Sequence, residues 1–310
     1  MATTPGGGQE TTSIRQQIDL DALTQWMSHQ PSLQTLLPKK FQTNHLSIRQ
    51  FGFGQSNPTY LLTLLSGKEE NGPTKLVLRR KPNQVAHQSA HALHREFKVL
   101  CCLERHNATH ALNQAIPIPK PYCYCSDASI LGAEFYIMEF ISGRIFIDPT
   151  LPGVSSKERR SIYRDAARIL ANIHKVQVDN VGLSTFGKRG SFVQRQLKRL
   201  SAVAANQAQT IGPIDGIEPI VTQLSQAAPH CPDAISLIHG DYKLDNLIYH
   251  PTLPKVIGVL DWELSAIGDP MCDLANMTMI YYTPSLEEGY VAGLVQGRYI
   301  RHPYISILYP

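Results

Sequence analysis

The chain has 310 residues, of which 43% are hydrophobic and 17% charged, with a formal net charge of +4. That is the composition of a globular protein with a substantial core. So mild a charge, with no basic run interleaved with aromatics, leaves no footprint for nucleic acid, and no apolar run approaches the length of a membrane span. The six cysteines lack zinc spacing, and the Gly/Thr-rich start carries no secretory or mitochondrial signal. Reduced thiols in the cytoplasm are therefore expected.

Residues 1–17 read as a disordered tail with little to bury. Over 18–45 a helical extension follows, capped by Asp19, with Leu20, Leu23 and Met27 at helical spacing and Pro31 beyond its end. It is expected to cover the first lobe. From Leu46 the pattern becomes strand-like, with strands expected at 46–51, 59–65 and 75–80. A helix over 86–105 places Leu93, Phe97, Leu100 and Leu103 on one face, and two more strands follow at 122–125 and 134–140. The chain then turns helical. Helices are expected at 156–175, capped by Ser156 and carrying Ile162, Ala166, Ile169, Leu170 and Ile173, then at 192–208 and 217–228, and finally at 270–282.

Between the last two helices lies the stretch with the densest chemistry, His239-Gly240-Asp241-Tyr242-Lys243-Leu244-Asp245-Asn246. Another aspartate, Asp261, ends the β-type run 255–260. Two loops at the ends of paired strands would bring Asp241, Asn246 and Asp261 together. One free carboxylate beside an Asn/Asp pair suits magnesium and a nucleoside triphosphate, because magnesium takes hard oxygen ligands and few carboxylates. Asp241 is the residue expected to orient a substrate hydroxyl and accept its proton late, and Asn246 and Asp261 are the expected metal ligands. Asp245 reads as a turn or capping residue. Lys243 reads equally as a cation beside the transferring phosphoryl group and as a solvated loop lysine. His174 is expected to cap helix carbonyls. His87, His91 and His94 lack the His-Glu-x-x-His order of a zinc helix.

In the first half, Gly52-Phe53-Gly54-Gln55-Ser56-Asn57 joins two expected strands. Its glycines let backbone approach phosphate, and Ser56 and Asn57 add donors. No Gly-Lys-Ser/Thr follows, so it is not a P-loop.

The spacing of His239, Asp241, Asn246 and Asp261 is similar to the H-R-D-x-x-x-x-N and D-F-G pattern of kinases. Gly240 and Asp261-Trp262-Glu263 depart from the protein-kinase version, and no Ala-Pro-Glu segment follows. The sequence resembles the aminoglycoside phosphotransferase and choline kinase branch, in particular the kinase-like domains associated with acyl-CoA dehydrogenases. The resemblance rests on Gly54-Gln55-Ser56-Asn57-Pro58-Thr59-Tyr60, Leu78-Arg79-Arg80-Lys81-Pro82, His94-Arg95-Glu96-Phe97, Phe135-Tyr136-Ile137-Met138-Glu139, the two catalytic stretches and Gly268-Asp269-Pro270.

That resemblance implies an α+β, two-lobed protein-kinase-like fold. A small antiparallel β lobe with one helix would span 46–141, and a larger, mostly helical lobe 142–310. It also implies ATP-dependent phosphorylation of a small-molecule hydroxyl, with ATP and Mg2+ as cofactors and Gly54, Ser56 and Asn57 in the nucleotide loop. The period of two puts Val77 and Arg79 on one strand face, so Arg79, rather than Arg80 or Lys81, should be the cation that pairs with Glu96. His239 should bond backbone near Asp261, and Asp269 and Asp273 should support the catalytic loop. Met138 should line the adenine pocket, with backbone groups near Glu139 and Ile141 on the adenine edge. A hydroxy acid or hydroxyacyl thioester is one candidate acceptor class, and an acyl-CoA dehydrogenase-type enzyme a candidate partner. Fold and family do not fix a substrate. Relatives continue with helices that wall the acceptor site, and 298–310 does not read as that continuation. A truncated chain, reduced to a kinase-like nucleotide- or ligand-binding module, is thus the second expectation.

Overall fold

The computed structural model describes residues 9–15, 18–52, 57–65, 74–82 and 93–281. Strand alternation builds its first layer. In β3 (Thr59–Leu64) the side chains of Tyr60, Leu62 and Leu64 are all fully buried on one face. β3 pairs antiparallel with β2 (Leu46–Phe51) and β4 (Thr74–Arg80), and β4 in turn pairs with β6 (Phe135–Glu139) and β6 with β5 (Pro121–Cys125). Because side chains alternate, the sheet has two apolar faces. Leu76, Leu78, Phe135 and Ile137 point one way, while Val77, Tyr136 and Met138 point the other.

Each face has its own helix. The first is covered by α1 (Leu20–Ser28), whose Asp19 cap accepts from the Ala22 N–H at 2.9 Å. Leu23 and Met27 of α1 are fully buried, and Trp26 meets Phe135 edge to face at 4.8 Å. The second face receives α2 (Leu93–Thr109), whose Leu93, Val99, Leu100 and Leu103 are buried. The start expected for this helix at 86 lies outside the described residues. A short α3 (Ala128–Leu131) sits between β5 and β6.

One correction concerns the tail expected to be disordered. Within it, β1 (Thr11–Thr12) pairs antiparallel with Gln50 and Phe51, and the Arg49 guanidinium bonds both the carbonyl and the hydroxyl of Thr11. The physical reason is the open edge of β2, whose unpaired backbone groups take up any short stretch able to extend.

The larger lobe is carried by α4 (Ser156–His174), with Ile162, Ala166, Ile169, Leu170 and Ile173 buried as the helical period predicts. Its cap is Ser155, not Ser156: the Ser155 hydroxyl accepts from the Glu158 N–H at 3.2 Å. Two small antiparallel sheets pack on it. One joins β7 (Arg144–Ile145), β9 (Leu247–Tyr249) and β10 (Val256–Val259), and the other β8 (Ser236–Ile238) and β11 (Ala266–Gly268). Tyrosine hydroxyls pin the helix to this layer, Tyr242 donating to the Ala166 carbonyl at 2.8 Å and Tyr249 to that of Ile162 at 3.3 Å. α5 (Phe192–Ile211) and α6 (Ile217–Ala227) form a pair, and α7 (Met271–Met279) closes the described chain.

The chain entering the larger lobe runs close against β9 at Gly143, where a Cβ would lie 2.3 Å from the Tyr249 carbonyl oxygen. One buried cluster runs from Val77 through α2 and α4 to Met277, so the core passes beneath the cleft instead of stopping at it.

If α1 is part of the small-lobe core, Leu23→Ala should cost about 2–5 kcal/mol. The urea midpoint of the full chain checks this, and a shift equivalent to well under 1 kcal/mol would contradict it.

Candidate active site

The strand β8 ends in a loop held from three sides. His239 is fully buried, and its Nε2–H donates to the Leu260 carbonyl, next to Asp261, at 2.8 Å. Its Nδ1 accepts the Asp241 N–H at 3.3 Å. Burial lowers the pKa of this imidazole, against the pull of Asp273 and the Leu260 carbonyl, and a neutral ring with one donor and one acceptor matches its partners. Asp273, also fully buried, accepts the N–H groups of His239 at 2.8 Å and Gly240 at 2.7 Å. His174 does not cap its own helix. It bonds Asp273 with Nε2 at 2.9 Å, because Asp273 lies beside the end of α4 and is the stronger acceptor.

Gly240 stands where protein kinases carry arginine, for a local reason. Its φ is +87°, and a Cβ there would lie 2.4 Å from the Leu264 carbonyl oxygen. No other residue fits.

The Asn246 amide nitrogen donates to the Asp241 carbonyl at 2.8 Å and to Asp241 Oδ2 at 3.0 Å. The Leu260 N–H donates to the Asn246 carbonyl at 2.9 Å, which sets Asn246 beside Asp261. Asp261 itself has φ +67°, a left-handed conformation costly for a non-glycine residue and common where a site over-determines it. Asp245 sits, as expected, in a turn, Leu244–Asn246. Lys243 Nζ lies 3.3 Å from Asp241 Oδ2 and 3.5 Å from Asp245 Oδ2. Burial works against the lysine charge, but the two carboxylates outweigh it and raise its pKa. The Asp245 pKa is raised by burial, in spite of Lys243.

Across the cleft, Arg79 is the cation that reaches Glu96. Its Nη1 bonds Glu96 Oε1 at 2.7 Å, its Nη2 bonds Asp261 Oδ1 at 3.0 Å, and Glu263 Oε2 is 3.9 Å away. The other two candidates point elsewhere: Arg80 Nε donates to the Leu131 carbonyl at 2.8 Å, and Lys81 pairs with Glu134 at 2.9 Å. Burial works against the Arg79 charge, but Glu96, Asp261 and the neighbouring anions outweigh it and raise its pKa. Glu96 is fully buried, and burial raises its pKa to about 7, with Arg79 pulling it down and Asp261 and Glu263 pushing it up.

The remaining expected nucleotide contacts are spread around this centre. Gly54 and Ser56 lie outside the described residues. Asn57 is buried and gives its amide nitrogen to Glu263 Oε2 at 2.6 Å. Met138 is buried opposite Val77. The Glu139 side chain points outward and accepts the Lys120 N–H at 3.1 Å, while its own N–H donates to the Lys120 carbonyl at 2.9 Å. The Ile141 carbonyl accepts from the Gln9 side-chain amide at 2.8 Å. Two polar residues in the site escaped the sequence reading, Glu263 and Asn276, the latter 3.2 Å from Asp241 Oδ1. Glu263 had a signal, as the third position of Asp-Trp-Glu. Asn276 had only its place three residues after Asp273.

Asp261 and Asn246 offer the hard-oxygen donors that magnesium uses when phosphates and water complete its shell. Among the described residues no group of three or more His, Cys, Asp or Glu gathers in the manner of an all-protein metal cage. All six cysteines are free, and no described helix is long and apolar enough to cross a membrane.

The sequence pattern of the phosphotransferase enzyme family matches residues 47–304. The chain belongs to the phosphotransferase enzyme family. A Ralstonia eutropha structure carrying the provisional name aminoglycoside phosphotransferase is 33% identical, with a TM-score of 0.70 over 95% of this chain and 77% of that one. The streptomycin-ATP complex of the aminoglycoside phosphotransferase APH(2")-IIa shares the fold at 19% identity, with a TM-score of 0.53 over 73% of this chain and 70% of that one. The two-lobed α+β kinase-like fold expected of the phosphotransferase family is therefore the one observed.

The likeness to kinase-like regions of acyl-CoA dehydrogenase relatives is likewise borne out. Probable acyl-CoA dehydrogenase IBR3 of Arabidopsis thaliana is 40% identical over 248 residues, covering 78% of this chain and 29% of that protein. Acyl-CoA dehydrogenase family member 11 of Homo sapiens is 38% identical over 239 residues, covering 77% of this chain and 28% of that protein. The chain spans less than a third of the length of these curated relatives.

Two outcomes follow from the geometry. Gly240→Ala should lose about 1–3 kcal/mol or more from forced φ and overpacking against Leu264, read as a fall in the denaturation midpoint. Glu96 binds its proton more tightly in the folded state, at about 7 against an ordinary 4.5. The stability this proton adds is fully present below pH 4.5 and lost as pH rises through about 7. Urea midpoints in EDTA from pH 5 to 8 should therefore fall more steeply for the native chain than for Glu96→Gln, and parallel curves would refute the assignment.

Proposed function

We propose that this chain transfers the γ-phosphoryl group of ATP to a hydroxyl group of a small molecule, with Mg2+ as the metal. The observation that carries the reading is the Arg79 guanidinium, which joins Glu96 of the small lobe to Asp261 of the large lobe beside the Asp241–Asn246 pair. The ATP and ADP named in complexes of fold neighbours support a nucleotide as donor.

Each residue then has a task. Asp241, oriented by its N–H bond to His239 and by Asn246, positions the acceptor hydroxyl and takes its proton as the oxygen–phosphorus bond forms and the bond from the γ-phosphorus to ADP breaks. Lys243, next to Asp241 Oδ2, keeps a positive charge at the side where the phosphoryl group passes. Asp261 and Asn246 would hold Mg2+, which when bound neutralises charge on the phosphate oxygens. Arg79 keeps the Asp261 carboxylate turned toward the cleft and, through Glu96, fixes α2 against the sheet. The loop of Gly54, Ser56 and Asn57 would cover the phosphates, and Met138 and the backbone at 139–141 would face the base.

For the acceptor, we favour a hydroxy acid or hydroxyacyl thioester. The names of the acyl-CoA dehydrogenase relatives support this, and so does the charge of the chain entering α5. Lys188, Arg195, Lys198 and Arg199 fall in a stretch, 180–214, without a single Asp or Glu, whereas Arg189 in the same stretch pairs with Asp179. Such a surface suits an anionic acceptor better than a polycationic aminoglycoside. The same names support an acyl-CoA dehydrogenase-type enzyme as partner, and the free cysteines accord with the reducing cytoplasm.

The purified chain, given Mg-ATP and a panel of hydroxy acids and their CoA thioesters, should phosphorylate at least one acceptor. Asp241→Ala should lower kcat by about 10²–10⁴-fold and leave nucleotide binding, read by thermal shift with Mg-ATP, in place. Unchanged turnover in Asp241→Ala would overturn the catalytic assignment. Stabilisation by nucleotide with no transfer to any acceptor would favour a binding module instead.

A further inference from the structure

Helix α7 delivers two polar side chains to the catalytic loop. Asp273 takes the N–H groups of His239 and Gly240 at 2.8 and 2.7 Å. One turn later Asn276 points its amide nitrogen at the next peptide of the loop, 3.3 Å from the Gly240 carbonyl and 3.2 Å from Asp241 Oδ1. Residues three apart share a helix face, so a single short helix grips the loop by its backbone donors and by its acceptors.

The consequence falls on the Asp241 carboxylate. Its Oδ2 meets Asn246 at 3.0 Å and Lys243 at 3.3 Å, and its Oδ1 meets Asn276. The terminal torsion of an aspartate is broad and intrinsically soft. Donors on one oxygen alone leave it free to swing, whereas donors on both oxygens fix its plane. Asn246 and Lys243 cannot do this by themselves, since both sit on Oδ2. Asn246 is, besides, one of the residues proposed to hold the metal.

We infer that Asn276 is a positioning residue for phosphoryl transfer, holding Asp241 Oδ1 so that the carboxylate presents a fixed plane to the acceptor hydroxyl. This rests on the kinase reading of the site. Among the described residues the hydrogen bonds of the Asn276 side chain go to Gly240 and Asp241, and none reaches Asn57 or Arg79, so its effect belongs to kcat and not to the affinity for ATP.

Two substitutions separate positioning from packing. Asn276→Ala removes the donor and the volume. Asn276→Asp keeps the volume, removes the donor and sets a second carboxylate against Asp241. Positioning predicts that Asn276→Ala lowers kcat on the best acceptor of the hydroxy-acid panel about tenfold or more, since small misplacements of reacting groups are costly. Asn276→Asp should be slower still, with the KM for ATP within about twofold in both. A packing role predicts the reverse order, with near-native activity in Asn276→Asp, and that result would overturn the inference. Crystal structures of the two variants give a measure independent of turnover. The Asp241 carboxylate should rotate from its native plane in both, and an unchanged plane would sink the inference even if the native chain phosphorylated nothing in the panel. Failure of the native chain on every acceptor would instead count against the kinase reading.

Discussion

One buried guanidinium is the constraint on which the rest of the site depends. Arg79 stands between Glu96 of α2 and Asp261 of the loop after β10, with Glu263 at its side. A buried ion pair is no guarantee of stability, because desolvation cancels much of the attraction, but removing one partner leaves an uncompensated buried charge. That asymmetry makes the arrangement an all-or-none positional device. Arginine suits it better than lysine, since a planar fork can address two carboxylates at once while a point charge on a flexible stem cannot. The guanidinium thus sets the sheet, α2 and the Asp261 loop in one mutual register.

The catalytic loop is held by a different physical means. Gly240 in this loop and Asp261 in the loop beside it both have positive φ, free for glycine but opposed by short-range sterics at Asp261, where the surroundings must enforce it. The enforcement comes from buried, hydrogen-bonded groups: Asp273 on two backbone N–H groups, and His239 bridging Asp241 to Leu260. In a low-dielectric setting these bonds are strong and an unmade one is expensive. Strain at Asp261 and saturation of the hydrogen bonds around the turns are therefore two sides of one design.

What the amino-acid sequence made legible divides along the same line. The period of two identified Arg79 over Arg80, because which face a strand residue occupies is a local fact. The spacing of Asp241, Asn246 and Asp261 was legible because paired strands with short loops leave their ends few places to go. The contacts that were not legible are those decided by distant chain. His174 and Asp273 lie 99 positions apart, and Asn57 and Glu263 lie 206 apart. A histidine at a helix end looks like a carbonyl cap until a buried carboxylate arrives beside it. Thr11 and Thr12 form a strand only because β2 offers an open edge, and the Ser155 cap differs from the expected Ser156 by the usual one-residue uncertainty of helix ends.

The charge balance of the cleft carries the argument one step further. Arg79 brings one positive charge to a centre that holds the carboxylates of Asp261, Glu263 and, above about pH 7, an ionised Glu96, so the centre is short of positive charge. The upward shift of Glu96 expresses that shortage: burial is its main cause, but Asp261 and Glu263 add to it, because Arg79 cannot serve all three. A divalent cation at Asp261 and Asn246 would remove the deficit and, with it, part of the competition for the guanidinium. Under the proposed function, the metal and the Arg79–Glu96 pair are then coupled. Binding the metal at Asp261 should tighten the hold of Arg79 on Glu96, and so of α2 on the sheet, which links filling of the metal site to the packing of the small lobe.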